Sequence, residues 1–238
     1  MAFPSMSVPV SRASEADRLA FLRRTLAWTG LGVGIASITS VASAVGIASM
    51  GGALLSGYGP LIVILGSWAI TNFVARPMVF GGAKVPGFVL GTAAQGVAMG
   101  FLLLMAVIVS SASLGNPFAL IGLAMGMTFF AGLGMTAYVY TIKRDFSLIG
   151  AGLAALSIPM LILMAVSFAF PAWFGGGLGI ALTAGFVVIS AAGLLYQLNQ
   201  VIHDYRTDMH VEGAYTISIG LLVLFWNILS LLMRLTRR

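Results

Sequence analysis

The stretch FVLGTAAQGVAMGFLLLMAVIVS, residues 88–110, carries no charged side chain and a single amide, Gln95. Wound as an α-helix at 1.5 Å per residue it is about 35 Å long, enough to cross a hydrocarbon core about 30 Å thick. Outer-membrane barrel strands alternate apolar and polar residues over about 10 positions, whereas this run is apolar on every side. A helix apolar all round belongs inside a membrane or a large core.

The same pattern recurs on both sides of it, at residues 25–50, 54–75, 118–142, 147–169, 178–202 and 214–235, giving seven predicted helices. Composition agrees: 60% of the 238 residues are apolar and 8% are charged, against about 25% charged in soluble domains. A water-exposed globule would lack the polar surface to cover itself. The expected fold is an all-α integral membrane protein, a seven-transmembrane-helix bundle over residues 25–238 behind a lead-in of residues 1–24.

The lead-in has no apolar signal-peptide core, so it is expected to stay in the cytoplasm. Ser14 followed by Asp17 has the form of a helix start. Leu19, Phe21 and Leu22 beside Arg18, Arg23 and Arg24 suit an interfacial helix entering the first span.

Basic residues near short loops stay on the cytoplasmic side. They occur at the N-terminus (Arg12, Arg18, Arg23, Arg24), in the second loop (Arg76, Lys84), the fourth (Lys143, Arg144) and the sixth (Arg206), while the first, third and fifth loops carry no charge. This places the N-terminus inside and reads the net charge of +6 as orientation, with no nucleic-acid partner. Arg234, Arg237 and Arg238 depart from the alternation: either the last segment crosses fully, or it re-enters and returns the tail to the cytoplasm.

The absence of Cys removes disulfides and thiol chemistry. All six acids, Glu15, Asp17, Asp145, Asp204, Asp208 and Glu212, are expected at loops or in the lead-in, and no predicted helix interior holds Asp, Glu, Lys or His. A retinal Schiff base, an intramembrane Ser/His protease and an aspartyl intramembrane protease each need such a residue at depth, so catalysis within the bilayer is not expected and no cofactor is implied.

The sixth loop gathers His203, Asp204, Arg206, Asp208, His210 and Glu212. Their spacing matches no compact metal motif, and the expected role is a solvated loop that contacts a protein partner. Asn72, Gln95, Gln197, Asn199, Gln200 and Asn227 form a second group, expected as hydrogen-bonding glue between helices or as a polar seam for water or ions. Gly30/Gly34, Gly96/Gly100 and Gly122/Gly126 place pairs of glycines on one helix face for close packing. Pro159 lies inside the fifth predicted helix, where a lost N–H donor favours a bend.

Residues 137–150, AYVYTIKRDFSLIG, resemble the AYxxTxKRDFSxxG segment of the Bax inhibitor family in its bacterial YccA-like branch, with Lys143, Arg144 and Asp145 at its centre. Residues 195–199, LYQLN, are similar to the family's LYDTQ, and residues 221–232 to its LYLDFINLFLxLL, with Asn227 at the shared Asn. The resemblance implies a seven-helix bundle with the last helix central, residence in the bacterial inner membrane, and roles in calcium leak or in regulating an FtsH-type membrane protease under stress. Two Asp residues form a pH-sensing pair in the leak-type members. Their positions fall on Gln197 and Leu224, neither of which ionises, and a family Arg falls on Arg76. Asp145 is expected to favour the start of the following helix through the helix dipole. The expected function is therefore a non-enzymatic inner-membrane protein, surrounded by membrane lipid, that acts through protein contacts of its cytoplasmic N-terminus and sixth loop in membrane-protein quality control or stress response, with a cation leak or small-solute transporter as the alternative.

Overall fold

A computed structural model describes residues 8–50, 58–141, 146–169 and 176–237. Among them the chain forms α1 (Glu15–Ser49), α2 (Gly59–Ala69), a π-helical turn (Ile70–Ala75), α3 (Arg76–Phe80), α4 (Lys84–Leu114), α5 (Ala119–Thr141), α6 (Ser147–Ala169), α7 (Gly176–His203) and α8 (His210–Thr236). A 3-10 turn (Val10–Arg12) precedes α1. Among the described residues six units are long and apolar enough to cross a membrane: α1, the α2-to-α3 unit Gly59–Phe80, α4, α5, α7 and α8. The protein is an all-helical, multi-spanning membrane protein. Its outer face fits lipid: Leu148 is 84% exposed, Ile38 73% and Phe130 72%.

The start at Ser14 is as expected. Its hydroxyl accepts from the Asp17 amide at 3.2 Å and donates to Asp17 Oδ2 at 2.7 Å, which satisfies an amide that has no partner in the first turn. From there α1 runs 35 residues without a break.

The second unit continues past Ala75, where the sequence reading ended it, because Pro77 does not terminate it. In α geometry the Pro77 ring would clash with the carbonyl one turn back and supply no N–H. The backbone instead widens into the π turn, in which the Arg76 amide reaches the Thr71 carbonyl. The Tyr215 hydroxyl of α8 donates to the same carbonyl at 2.8 Å.

α4 begins at Lys84, earlier than residue 88. Pro86 sits in its first turn, where amides have no helical partner and a missing N–H costs little. Gly115 ends α4 in the left-handed region, φ 67°. α8 likewise begins at His210, not at 214, and stays one continuous helix of 27 residues, about 40 Å long. A continuous helix does not double back, so Arg234 and Arg237 lie at the far end of α8 from the α7–α8 loop.

α8 packs against α1, α3, α4, α5 and α7, and α4 packs along α1. The main core joins Leu194, Leu198, Val201 and Ile202 of α7 to Ile217, Leu224, Ile228 and Leu229 of α8. A second cluster joins Ala75, Val79, Phe88, Val211, Ala214 and Tyr215.

One of the three expected glycine pairs packs tightly. A Cβ at Gly96 would lie 1.9 Å from Thr39 Oγ1 and one at Gly100 would lie 2.5 Å from Ser43 Oγ, so α1 and α4 meet through this pair. Cβ atoms at Gly30, Gly34, Gly122 and Gly126 would meet nothing within 4 Å. Those two pairs do not mediate contacts within the chain, because their faces are turned away from its other helices.

Candidate functional site

The α7–α8 end of the bundle gathers most of the chain's polar chemistry. Its centre corrects the expectation that no acid lies inside a helix: Glu212 belongs to the first turn of α8, is 3% exposed, and pairs through Oε1 with Lys84 Nζ of α4 at 2.7 Å. The early start of α8 carries it inward. Among the described residues Glu212 Oε2 is buried without a hydrogen-bond partner, and so is His210 Nδ1. Removing one member of such a pair is costly because it strands the other charge.

Around this pair the loop residues take separate places. His203 ends α7 and its Nδ1 lies 3.2 Å from the Asn199 carbonyl. Asp204 is exposed, and Arg206 Nε pairs with Asp208 Oδ1 at 3.4 Å with both side chains more than half exposed, an arrangement worth about 0–1 kcal/mol. Tyr205, missed by the sequence reading, connects the end of the bundle. Its hydroxyl lies 3.3 Å from Thr216 Oγ1, which itself donates to the Glu212 carbonyl at 2.9 Å, and its ring meets Phe80 edge-on at 6.4 Å. Burial pushes the Tyr205 phenol above its usual range, with the Thr216 contact and the Arg76 charge acting the other way.

The N-terminal segment closes this end from outside. Val10 N–H donates to the Tyr205 carbonyl at 2.8 Å, Thr207 N–H to the Val8 carbonyl at 3.1 Å, and Ser11 Oγ to the His203 carbonyl at 2.8 Å. Pro9 and Arg206 form an antiparallel bridge, and Val10 is fully buried in the main core. The lead-in, expected in the cytoplasm, and the sixth loop, expected as a solvated loop, are therefore strapped to each other. No sequence motif marks this pairing.

The amides and the inherited positions are spread along the bundle. Among the described residues Gln197 Oε1 is buried without a partner, against Gly220, where a Cβ would collide with it. Leu224 is 1% exposed in the same α7–α8 core. Asn199 is buried, and its Oδ1 has no partner among the described residues. Asn72 and Asn227 donate to carbonyls of their own helices, Trp68 at 2.9 Å and Val223 at 3.0 Å, so these two do not bridge helices as expected; the carbonyl one turn back is within reach of each amide. Gln200 Nε2 donates to Tyr196 OH at 2.8 Å. Arg76 is exposed at the start of α3, beside Tyr205 and Tyr215 electrostatically. Lys143, Arg144 and Asp145 lie outside the described residues. Their neighbours are ordered by packing: Arg18 lies over the Tyr140 ring at 4.6 Å, and buried Phe146 meets Tyr138 edge-on. Among the described residues no three His, Asp or Glu side chains converge as a metal site.

The profile of the family described as inhibitor of apoptosis-promoting Bax1 matches residues 18–237. The chain belongs to that Bax inhibitor family. It is also similar to an uncharacterised protein of Pseudomonas aeruginosa, 30% identical over 50% of this chain and 51% of that protein. The modulator of FtsH protease YccA of Escherichia coli K12 is 29% identical over 51% of this chain and 52% of its own. A copy of the latter in another Escherichia coli strain, at the same identity, is described as an inner membrane protein. The matched stretch spans about half the length of these relatives. No solved structure matches. The family assignment covers all but residues 1–17 and 238, and it makes the bundle, with its apolar exterior, a member of a membrane-protein family.

Proposed function

We propose that this Bax inhibitor family member is a non-enzymatic inner-membrane protein that modulates an FtsH-type membrane protease by direct contact, as part of membrane-protein quality control or stress response. The bundle then has seven crossing helices with α8 central, a cytoplasmic N-terminus, and the strapped α7–α8 end on the cytoplasmic side. The observation that carries this reading is the relationship to a protein described as a modulator of FtsH protease. The packing of α8 against five other helices supports its central place, and the 23-residue α6 is long enough to be the additional span. The exposed Asp204, Arg206 and Asp208 offer charged contacts on a loop held in place by the strap. Affinity capture from native membranes is expected to recover a membrane protease, and a deletion strain to alter turnover of its membrane substrates. Recovery of the chain alone, with unchanged turnover, contradicts the reading.

A second reading, a cation leak or small-solute transporter, is favoured by the buried unpartnered oxygens of Gln197, Asn199 and Glu212. Proteoliposome flux tests it: calcium or other cation movement above that of empty vesicles supports it, and none at either mildly acidic or alkaline pH rejects it.

A further inference from the structure

We propose that Arg24 and Lys84 form a headgroup site for an anionic phospholipid, whose phosphate lies between the guanidinium and the ammonium at the end of the bundle where α1, α4 and α8 meet. Helix register brings the two cations together. Phe88 against Trp28, with ring centroids 5.3 Å apart, and Gly96 against Ala36 are contacts at one sequence offset, so α1 and α4 run parallel. Residues four apart share a helix face, so one turn before Trp28 and Phe88 the same offset sets Arg24 beside Lys84. Both charges act on His210 of α8, which places them around one point.

The charges there do not cancel. Lys84 Nζ meets Glu212 Oε1 at 2.7 Å, but an ammonium has three donors and the Lys84 side chain is 38% exposed. Arg24 is exposed, and among the described residues no carboxylate pairs with it. Glu212 is 3% exposed and offers little surface to repel an approaching anion. A guanidinium grips phosphate oxygens with a planar fork, and an ammonium adds a point charge.

The surface one turn deeper makes the anion a lipid. Trp28 is half-buried there, and Val85 and Val89 are exposed on one face of α4. A phosphate at the level of Arg24 therefore sets its acyl chains against apolar side chains, with a Trp one turn inside basic residues, as at a membrane interface. Free phosphate would meet the charges and leave the apolar surface unused. Arg23, also exposed, supplies the control: it shares the face of Gly30 and Gly34, which is turned away from the other helices.

The lipid site goes beyond the proposed protease role, and its test contains no protease, so failure of either leaves the other standing. Native mass spectrometry of the full chain in neutral detergent, titrated with phosphatidylglycerol or phosphatidylcholine, reads the dissociation constant of the first bound lipid. Phosphatidylglycerol is expected to bind at least about tenfold more tightly, the scale of a hydrogen bond to a charged group, and millimolar inorganic phosphate to leave it bound. Arg24→Gln is expected to weaken phosphatidylglycerol by about tenfold, and Arg23→Gln by less than about twofold. The double replacement Lys84→Met with Glu212→Leu keeps the net charge and exchanges a buried pair for apolar side chains, a change that folds tolerate. It is expected to weaken the lipid by about tenfold as well, and it carries the test if Arg24→Gln does not fold. Equal affinity for the two lipids, equal losses in Arg24→Gln and Arg23→Gln, native affinity in the double variant, or displacement of the lipid by phosphate would overturn the site.

Discussion

Glu212 and Lys84 meet at 2.7 Å, one on the first turn of α8 and the other on the first turn of α4, and the acid is 3% exposed. Substituting Lys84→Ala leaves the carboxylate buried without its countercharge. The expected loss is about 1–3 kcal/mol, below that of a fully buried pair because Lys84 is partly exposed. A thermal or denaturant melt in detergent measures it, and an unchanged midpoint would show that the pair contributes nothing net.

The α1–α4 contact depends on missing side chains. Gly96→Val places methyls into Thr39 and the Ala36 carbonyl, with an expected cost of at least about 1–3 kcal/mol, the scale of an overpacked core. Gly34→Val meets open space and is expected to change stability by less than about 0.5 kcal/mol. The two melts compared side by side check the difference.

The Tyr215 hydroxyl donates to the Thr71 carbonyl in the π turn. Tyr215→Phe removes that donor while the Arg76 amide still serves the same carbonyl, so the expected cost is about 1 kcal/mol and not the larger value of an orphaned group. The same melt reads it out.

Val10 is buried beneath the strap. Val10→Asp introduces an unpaired charge there and is expected to free the N-terminal segment, without unfolding the bundle that α1, α4 and α8 hold together. Limited proteolysis checks this, with faster cleavage expected at residues 8–14 and 204–209 and unchanged cleavage elsewhere.

The helical membrane fold was legible because bilayer physics writes long, uncharged runs into the sequence, as at residues 88–110. The element ends were not. The predicted helix begins at 88, past Pro86, although a proline is harmless in a first turn, and the polar residues His210 and Glu212 read as loop although they start α8. The Gly96/Gly100 and Gly30/Gly34 pairs have the same spacing, and only the placement of α1 against α4 separates them. The candidate site was legible as a collection of residues around the sixth loop. Its organisation was not, because Lys84 with Glu212 and Val10 with Tyr205 are brought together only by tertiary packing, and backbone pairing of the strap leaves no trace in side-chain pattern.

The central claim is that this bundle alters the work of an FtsH-type protease by contact. The most direct measurement reconstitutes such a protease in proteoliposomes with a membrane substrate and compares the degradation rate with and without this protein at equimolar amount. A rate change of about twofold or more, accompanied by co-capture of the two proteins, is the predicted result. An unchanged rate together with no co-capture would contradict it.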